Sequence, residues 1–286
     1  MHSMQKFVLL IIVAFISISS YSQMRIGVFG GVSHYQGDLV DQAFPARFTK
    51  GAFGLSFNYE FTERLTLRTG LTFAKIAGDD KYNNKEYLRF RNLSFETNIT
   101  ELSILGEYNI FNLSSMRWSP YVFGGVALFK FNPYTFDSTG EKFFLKPLST
   151  EGQGLDQYPE RKPYSLTQVS LPFGGGIKYA LSETVNIGLE AGIRKTFTDY
   201  LDDVSTDYAD EFDLLTARGP KAVELAYRSG EVPGGDPFYP QKGSQRGGAD
   251  MKDWYYFTGL HVSFKLGSGP LFGGSKRGYG CPKVPQ

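Results

Sequence analysis

The chain has 286 residues and a net charge of +1, so its charge gives no argument for nucleic-acid binding or for a polybasic membrane surface. Its 33 Gly, 25 Phe and 18 Tyr favour aromatic-rich strands kinked by glycine over helices. A single cysteine, Cys281, excludes an internal disulfide framework.

The first 22 residues have the pattern of a secretory signal peptide. Lys6 precedes an apolar run over 7–18, and Ser20 and Ser22 supply the small side chains of a signal-peptidase site. The run is too short to span a bilayer comfortably, which favours cleavage after Ser22 over an uncleaved anchor. We therefore expect 1–22 to be removed, 23–267 to form one domain and 268–286 to form a flexible tail.

Apolar and polar residues alternate strictly in several parts of the mature chain. In 52–61 the odd positions carry Phe, Leu or Tyr and the even positions are small or polar, and 64–73, 184–196 and 254–266 follow similar patterns. A period of two over about ten residues is typical of strands. About eight strands are predicted, starting near Arg25, Gly51, Arg64, Phe95, Pro120, Gln168, Thr184 and Asp253. The orientation of the first and fifth strands stays open, because Gly and apolar residues fall on both of their faces.

Short and long connections alternate between these strands. Turns at 62–63, 112–119 and 181–183 alternate with long polar segments at 36–50, 76–94, 132–167 and 197–252. An up-and-down outer-membrane barrel has this pattern, which a soluble β-sandwich does not explain. Because hydrocarbon cannot satisfy an open sheet edge, the sheet is expected to close. The predicted fold is all-β: a closed antiparallel up-and-down transmembrane β-barrel of about eight strands, with long outer loops and both termini in the periplasm.

The faces opposite the apolar ones carry charges of both signs. These are Glu60, Arg64, Arg68, Glu101, Glu107, Lys178, Glu190, Arg194 and Lys265. An eight-stranded barrel is only wide enough for its own side chains to fill. Opposed charges are therefore expected to pair and plug the interior, and the alternative is a charged conducting pore.

An enzymatic role finds little support in the mature chain, which has two histidines, His34 and His261. They fall on the first and last strands, which are neighbours in a closed barrel, so the two side chains could lie near each other. A lipid-modifying hydrolase needs a serine, a histidine and an acid together near the rim. The sequence has no G-x-S-x-G motif. We expect a protein that is not an enzyme and has no cofactor, with His261 in a lumen hydrogen-bond network beside Ser263.

The stretch TFTDYLDDVSTDY at 196–208 concentrates carboxylates just beyond the seventh strand. Asp199, Asp202 and Asp203 are weak candidates for a hard-cation site, because the stretch lacks the EF-hand pattern. A rim loop, in which Asp199 or Asp202 caps turns or pairs with a cation such as Arg194, is favoured over a metal site.

Cys281 is the candidate partner-binding residue. It lies beyond the last strand, beside Pro282 and close to Lys276, Arg277 and Lys283. Neighbouring cations favour the thiolate, which is the form that exchanges disulfides. A mixed disulfide with a periplasmic partner and an inert tail thiol are both open.

Several segments, taken in their order along the chain, resemble a known family. They are GGVSHYQGDL at 30–39, RKTFTDYLDDVSTDY at 194–208, a loop with Arg-Gly, DWYYFTGL at 253–260, and Cys281-Pro282. The set resembles the PorG-like outer-membrane barrels of the type IX secretion system over nearly the whole mature chain.

The resemblance implies a non-enzymatic component of the protein secretion and gliding machinery. It also implies contact with the periplasmic ring of the lipoprotein PorK (GldK in gliding bacteria) and its partner PorN (GldN), and this makes the lipoprotein the expected partner of Cys281. The alternative is a generic small outer-membrane barrel with an envelope-stabilising or surface-binding role. Outer-membrane lipids are expected partners in both cases, and nucleic acid is not.

Overall fold

A computed structural model describes residues 23–42, 44–249 and 252–266 of the chain. The predicted signal peptide at 1–22 and the predicted tail at 268–286, with Cys281, lie outside these residues. Within the described part, the chain forms ten strands and three short α-helices.

Eight of the strands are long and two form a short hairpin. They are β1 (Met24–Gln36), β2 (Lys50–Glu60), β3 (Leu65–Asp79), β4 (Ser94–Asn109), β5 (Trp118–Lys130), β6 (Tyr134–Phe136), β7 (Lys142–Phe144), β8 (Thr167–Ala180), β9 (Val185–Thr196) and β10 (Trp254–Lys265). The hairpin is β6–β7, and Tyr134 on β6 pairs with Glu96 on β4. The long strands begin within two residues of the predicted positions.

The eight long strands close into an antiparallel barrel. Each pairs with its neighbour along the chain, β5 pairs with β8, and β10 returns to β1. The closing register runs from Arg25 opposite Lys265 to Gln36 opposite Trp254. A barrel has no open edge, so the backbone groups of these strands are paired within the sheet. The predicted closed up-and-down fold is confirmed.

Alternation along the strands separates an outward apolar face from a polar interior. On β4 the even residues Leu102, Ile104 and Tyr108 are exposed, whereas the odd residues Glu101, Leu105 and Glu107 are buried. Successive side chains on a strand point to opposite faces, so the alternating sequence itself selects which face meets the lumen.

The connections at the two ends of the barrel differ as predicted. Short turns link β2 to β3, β4 to β5 and β8 to β9, and they define the turn end of the barrel. At the other end, the loop end, are loop 1 (37–49), loop 2 (80–93), loop 3 (131–166) and loop 4 (197–253). They carry α1 (Glu86–Arg91), α2 (Glu211–Arg218) and α3 (Pro220–Ala226), with 3-10 turns at Ala46–Phe48, Asp80–Tyr82, Lys146–Leu148 and Ser229–Glu231.

The long loops pack on one another and cover the loop end of the barrel. A continuous hydrophobic cluster joins Phe29 and Phe257 inside the barrel to Leu39, Phe131 and Leu201 above it. A smaller cluster of Leu214, Ala222 and Ala226 packs α2 against α3. We call this packed set of loops the cap. None of the helices in the described part of the chain is long and apolar enough to cross a membrane.

Candidate functional site

The interior of the barrel is filled by ion pairs between facing strands. Arg68 Nη1 lies 2.7 Å from Glu190 Oε2, and Arg194 Nε lies 3.2 Å from Glu101 Oε2. Lys178 pairs with Glu107 in the same layer. All six side chains are buried. These are six of the nine charges that the sequence assigned to the interior.

The other three predicted interior charges lie at the ends of the barrel. Glu60 is half-buried and pairs with Arg25 at 2.6 Å, and Lys265 is half-buried at the end of β10. The assignment of Arg64 to the interior was wrong: it is exposed in the turn before β3, because the alternation begins one residue later, at Leu65.

The interior leaves little free space. A cavity of about 30 Å³ lies among Phe29, Arg68, Glu190 and His261. It has room for about one or two water molecules. Arg68 Nε has no hydrogen-bond partner among the described residues, so an ordered water here would satisfy it. Side chains rather than a continuous water column thus occupy the middle of the barrel.

The two histidines lie far apart. His261 is inside the barrel, where its Nε2 is 2.9 Å from Ser56 Oγ. His34 lies at the loop end, where its Nε2 is 3.0 Å from Thr49 Oγ1 and its ring packs on Phe44. The expectation that they could lie near each other was wrong, because His261 is opposite Phe29 in the register and His34 is opposite Tyr256. Since successive residues alternate between the faces of a strand, His34 and Phe29 also point to opposite faces of β1.

The aspartate-rich stretch is buried inside the cap rather than displayed on the rim. Asp199, Asp202 and Asp203 are 3%, 1% and 0% exposed. Arg194 pairs with Glu101 in the lumen, so the expected pairing with Arg194 is wrong, and the loop cation beside Asp199 is Lys252, with Nζ 3.8 Å from Asp199 Oδ2. The expected turn-capping role is present at Asp202, whose Oδ1 accepts from the backbone N–H of Val204 at 3.0 Å.

The hydroxyl of Tyr35 joins two of the buried carboxyl groups. It lies 2.6 Å from Asp202 Oδ2 and 3.1 Å from Asp253 Oδ1. A tyrosine hydroxyl carries one hydrogen, so it donates to one carboxylate only. The other contact is a hydrogen bond when that carboxyl group is protonated and donates to the tyrosine oxygen. This geometry therefore favours one retained proton on the Asp202–Asp253 pair.

The cap raises the pKa of each of these carboxyl groups. Burial raises the pKa of Asp199 to about 7 and that of Asp203 to about 6. Burial, followed by repulsion from neighbouring carboxylates, raises the pKa of Asp202 and of Asp253 well above the ordinary value. Transfer out of water penalises the charged form of a carboxyl group, so the folded cap favours protonation.

A second buried network, which the sequence pattern does not predict, ties the loops together. Glu151 accepts from the backbone N–H of Ser205 at 2.9 Å and pairs with Arg246 Nη1 at 3.0 Å. Arg91 makes a bidentate pair with Asp80, at 2.6 and 2.7 Å. Arg91 also donates to the backbone of loops 1 and 4, and it thereby connects three loops. These residues lie in segments without periodicity, so the pattern could not bring them together.

A large cleft in the cap is open toward solvent. It has a volume of about 600 Å³ and lies between loops 1, 2 and 4. Its walls combine aromatic rings, of which Tyr87 is exposed and Tyr208 is buried, with carboxylates, an amide and buried cations: Asp38, Tyr87, Phe90, Arg91, Tyr208, Tyr227, Asp236, Gln245 and Arg246. A concave site with aromatic walls and a few fixed polar groups is suited to a small polar ligand.

Asp199, Asp202 and Asp203 are the three residues that the sequence analysis named as weak candidates for a metal site. In the structure each of the three carboxyl groups has a side-chain hydrogen-bond partner: Ser205 for Asp199, Tyr35 for Asp202, and Thr150 and Tyr164 for Asp203. No group of three or more His, Cys, Asp or Glu side chains in the described part of the chain is placed to hold a metal ion. Cys281, the predicted partner-binding residue, lies outside the described residues.

The outward face of the barrel is a belt of exposed apolar side chains. Its members include Phe53, Leu55, Phe57, Leu71, Phe73, Leu102, Ile104, Val122, Val126, Leu128, Val169, Phe173, Ile177, Leu189 and Leu260, each 37–57% exposed. Such a continuous belt would not be stable in water and is the lipid-facing band of outer-membrane β-barrels. At the turn end the belt finishes in aromatic side chains, among them Phe61, Tyr108, Trp118 and Tyr179.

The sequence matches one family model over residues 4–218, and its description is a domain of unknown function, DUF6089. The chain belongs to the DUF6089 family. The match spans β1–β9 and ends in loop 4, so β10, which closes this DUF6089 barrel, lies beyond it. No curated protein matches the chain with significant sequence similarity.

Solved structures similar to this DUF6089 chain are outer-membrane barrels. Neisserial surface protein A is 9% identical, with a TM-score of 0.42 and coverage of 86% of this chain and 98% of that one. OprG from Pseudomonas aeruginosa is 13% identical, with a TM-score of 0.40 and the same coverages. Ail from Yersinia pestis is 12% identical, with a TM-score of 0.36 and coverages of 84% and 97%. Scores this low carry no functional argument, and the fold rests on the strand pairing described above.

Proposed function

We propose that the protein is a non-enzymatic outer-membrane component of the type IX secretion and gliding machinery, which contacts the periplasmic lipoprotein ring. The observation that carries the proposal is a barrel with a lipid-facing belt and a filled interior. A barrel without an open lumen acts through its surfaces, as an anchor does. The ordered motifs at 30–39, 194–208 and 253–260, which resemble those of PorG-like barrels, support the assignment to this machinery.

The proposed orientation puts the turn end and both termini in the periplasm. An even number of strands brings both termini to one end, and outer-membrane barrels have their short turns on the periplasmic side. The tail at 268–286 then begins on the periplasmic side, and the partners by resemblance are the lipoprotein PorK (GldK) and PorN (GldN).

Affinity purification of the tagged barrel from detergent-solubilised membranes tests the partner. We expect PorK (GldK) and PorN (GldN) with the full chain, and their loss with a variant that lacks 268–286. An unrelated tagged outer-membrane barrel of similar abundance is the control. If the full chain is recovered folded but without ring proteins, the secretion role is wrong and a generic barrel remains.

The proposed covalent partner contact is a mixed disulfide through Cys281, the single cysteine of the chain. Non-reducing gels of cells are expected to show a heavier band that reductant removes and that Cys281→Ser lacks. The matched control is the double variant Ser275→Cys with Cys281→Ser, which moves the single thiol to another position of the tail. A heavier band that persists in Cys281→Ser, or its absence from the wild type, contradicts the bridge.

The open cleft between loops 1, 2 and 4 favours a second candidate, a surface-binding role outside the secretion machinery. Its aromatic rings and fixed polar groups would contact a ligand at the cell surface. Tyr87→Ala removes a ring that is 66% exposed, so it should leave folding unchanged. If a ligand of the intact cell surface is lost in this variant while ring proteins are still recovered, both roles operate.

A further inference from the structure

The loop-end boundary of the apolar belt is marked by lysines. On β3, β5 and β9 the outward apolar residues Phe73, Leu128 and Ile193 are followed two positions later by Lys75, Lys130 and Lys195. Residues two apart on a strand share a face, so these lysines stand directly above the belt. The step is about 7 Å along the strand. This brings the ammonium groups to the headgroup layer that borders a hydrocarbon core of about 30 Å.

The β6–β7 hairpin extends the same outward surface beyond β4. Glu96, on the outward face of β4, pairs with Tyr134, and Tyr134 pairs in turn with Phe144. Phe136 pairs with Lys142 one step further along. Cross-strand partners and residues two apart lie on one face, so all of these side chains continue the lipid side of the barrel.

The opposite face of the hairpin packs on the cap. Thr135 Oγ1 lies 3.1 Å from Ser94 Oγ and 3.3 Å from Arg228 Nη1. Lys221 Nζ lies 5.0 Å from the centroid of the Phe143 ring and pairs with Asp137. The cap therefore holds the hairpin in place. Phe136 and Phe144 on the outward face of the hairpin stay exposed, each by 44%.

Three lysine ammonium groups gather on this outward face around Tyr134. Lys75 Nζ donates to Tyr134 Oη at 3.0 Å and to Glu96 Oε2 at 3.1 Å, and Lys50 Nζ lies 2.8 Å from Glu96 Oε1. Lys142 Nζ lies over the ring of Tyr134, 3.5 Å from its centroid. One carboxylate, Glu96, thus pairs with two of the three cations, and Lys142 forms no ion pair with a described residue.

We propose that Lys75 and Lys142, held around Tyr134, bind the phosphate of an anionic lipid headgroup, with Phe136 and Phe144 contacting the start of its acyl chains. The excess positive charge and the spare N–H donors of Lys142 suit a phosphate group. The neighbouring exposed rings suit the hydrocarbon to which that phosphate is attached. Basic groups at membrane depth recognise lipid headgroups by these interactions. The inference rests on the proposed membrane location and not on the secretion partners.

Native mass spectrometry of the folded barrel, released from detergent, tests the site. The probes are phosphatidic acid and diacylglycerol with the same acyl chains, together with inorganic phosphate as a competitor. We expect adducts with phosphatidic acid, little binding of diacylglycerol, and no displacement by millimolar phosphate. Each lysine near a membrane surface contributes about 1 kcal/mol, so Lys142→Gln should weaken the adduct about fivefold.

Substitutions that keep or remove a lysine charge separate its effect on lipid binding from an effect on folding. Lys142→Arg should retain binding, Lys75→Gln with Lys142→Gln should weaken it about 25-fold, and Lys162→Gln, at an exposed lysine of loop 3, should leave it unchanged. Equal binding of diacylglycerol, or wild-type affinity in Lys142→Gln, overturns the site, and displacement by phosphate overturns the lipid assignment. Insertion of the wild type into vesicles is measured separately, because failure to insert would contradict the membrane location itself.

Discussion

Arg68 and Glu190 are buried in the barrel with their charged atoms 2.7 Å apart. Removal of one partner from a buried pair leaves an uncompensated charge, and this costs about 3–5 kcal/mol. Glu190→Leu should therefore lower the urea midpoint of the folded barrel, measured by its heat-dependent gel mobility. The double variant Arg68→Met with Glu190→Leu should recover most of the loss, since no unpaired charge remains. A single variant as stable as the wild type would mean that water screens the lumen.

The buried aspartates make the cap sensitive to pH. The pKa of Asp203 is raised to about 6 and that of Asp199 to about 7, above the ordinary value of about 4. The folded cap thus binds protons that the open cap releases. Its extra stability is present below about pH 4 and is lost as the pH rises through 6–7.

Hydrogen exchange measures this pH dependence at the amides of 199–205. After correction for intrinsic rates, the opening free energy should be smaller at pH 8 than at pH 4.5. Asp199→Asn together with Asp203→Asn should weaken the dependence, because an amide does not titrate in this range, whereas the Asp202–Asp253 pair still does. Thr139→Ser, in the separate turn of the β6–β7 hairpin, is the control and should leave it unchanged. Protection that rises with pH would contradict the protonated cap.

Single residues were predictable from the sequence where alternation assigned a face. Arg68, Glu101 and Glu190 are interior for that reason. The aspartates of 199–203 were predicted as rim residues because a polar run without periodicity is usually solvated. Their burial depends on Tyr35 from β1 and on Thr150 and Tyr164 from loop 3, which are distant in the sequence. Local pattern carries no information on such partners.

The strands are the elements that the sequence predicts best. Period-two alternation over ten or more residues is a long signal, and each long strand starts within two residues of its predicted position. The β6–β7 hairpin, with three residues in each strand, is too short for alternation to be recognised. α1, α2 and α3 have six to eight residues, also too few for a helical period to stand out. These short elements are stabilised by packing within the cap.

The outward belt predicts a dependence of stability on depth. Ile104 lies near the middle of the apolar face of β4, and Thr100 lies on the same face near the loop end. A cation on the lipid face costs about 2–4 kcal/mol at the bilayer midplane and about 0–1 near the interface. Ile104→Arg should therefore destabilise the barrel in lipid vesicles far more than Thr100→Arg does. Equal effects of the two variants on reversible unfolding would show that this face is not in hydrocarbon.

The whole molecule combines a closed barrel with a cap that the sequence did not predict. The closed barrel was predictable from the alternation of short and long connections. That pattern indicates an up-and-down sheet, whose first and last strands must pair with each other to satisfy both edges. The long connections looked like polar excursions, yet they share a hydrophobic cluster with the barrel interior. Glu151 and Arg246 then join loops 3 and 4 by a buried ion pair. The cap therefore depends on contacts between loops, which no single segment encodes.

The filled interior is the feature on which the anchoring role depends. Ion pairs cross the lumen between facing strands. The cavity found among these side chains has a volume of about 30 Å³, and the cap packs above it. A barrel of this kind is expected to hold its position in the membrane and to pass no ions.

Planar-bilayer recording of the purified protein tests this most directly, with insertion verified in the same preparation by protection of the barrel from added protease. We expect no stable conductance above the empty bilayer from inserted protein. A variant that opens the interior, Arg68→Gly with Arg194→Gly, serves to show that leakage would be detected. A stable open channel from the wild type would contradict the plugged barrel, and with it the anchoring role.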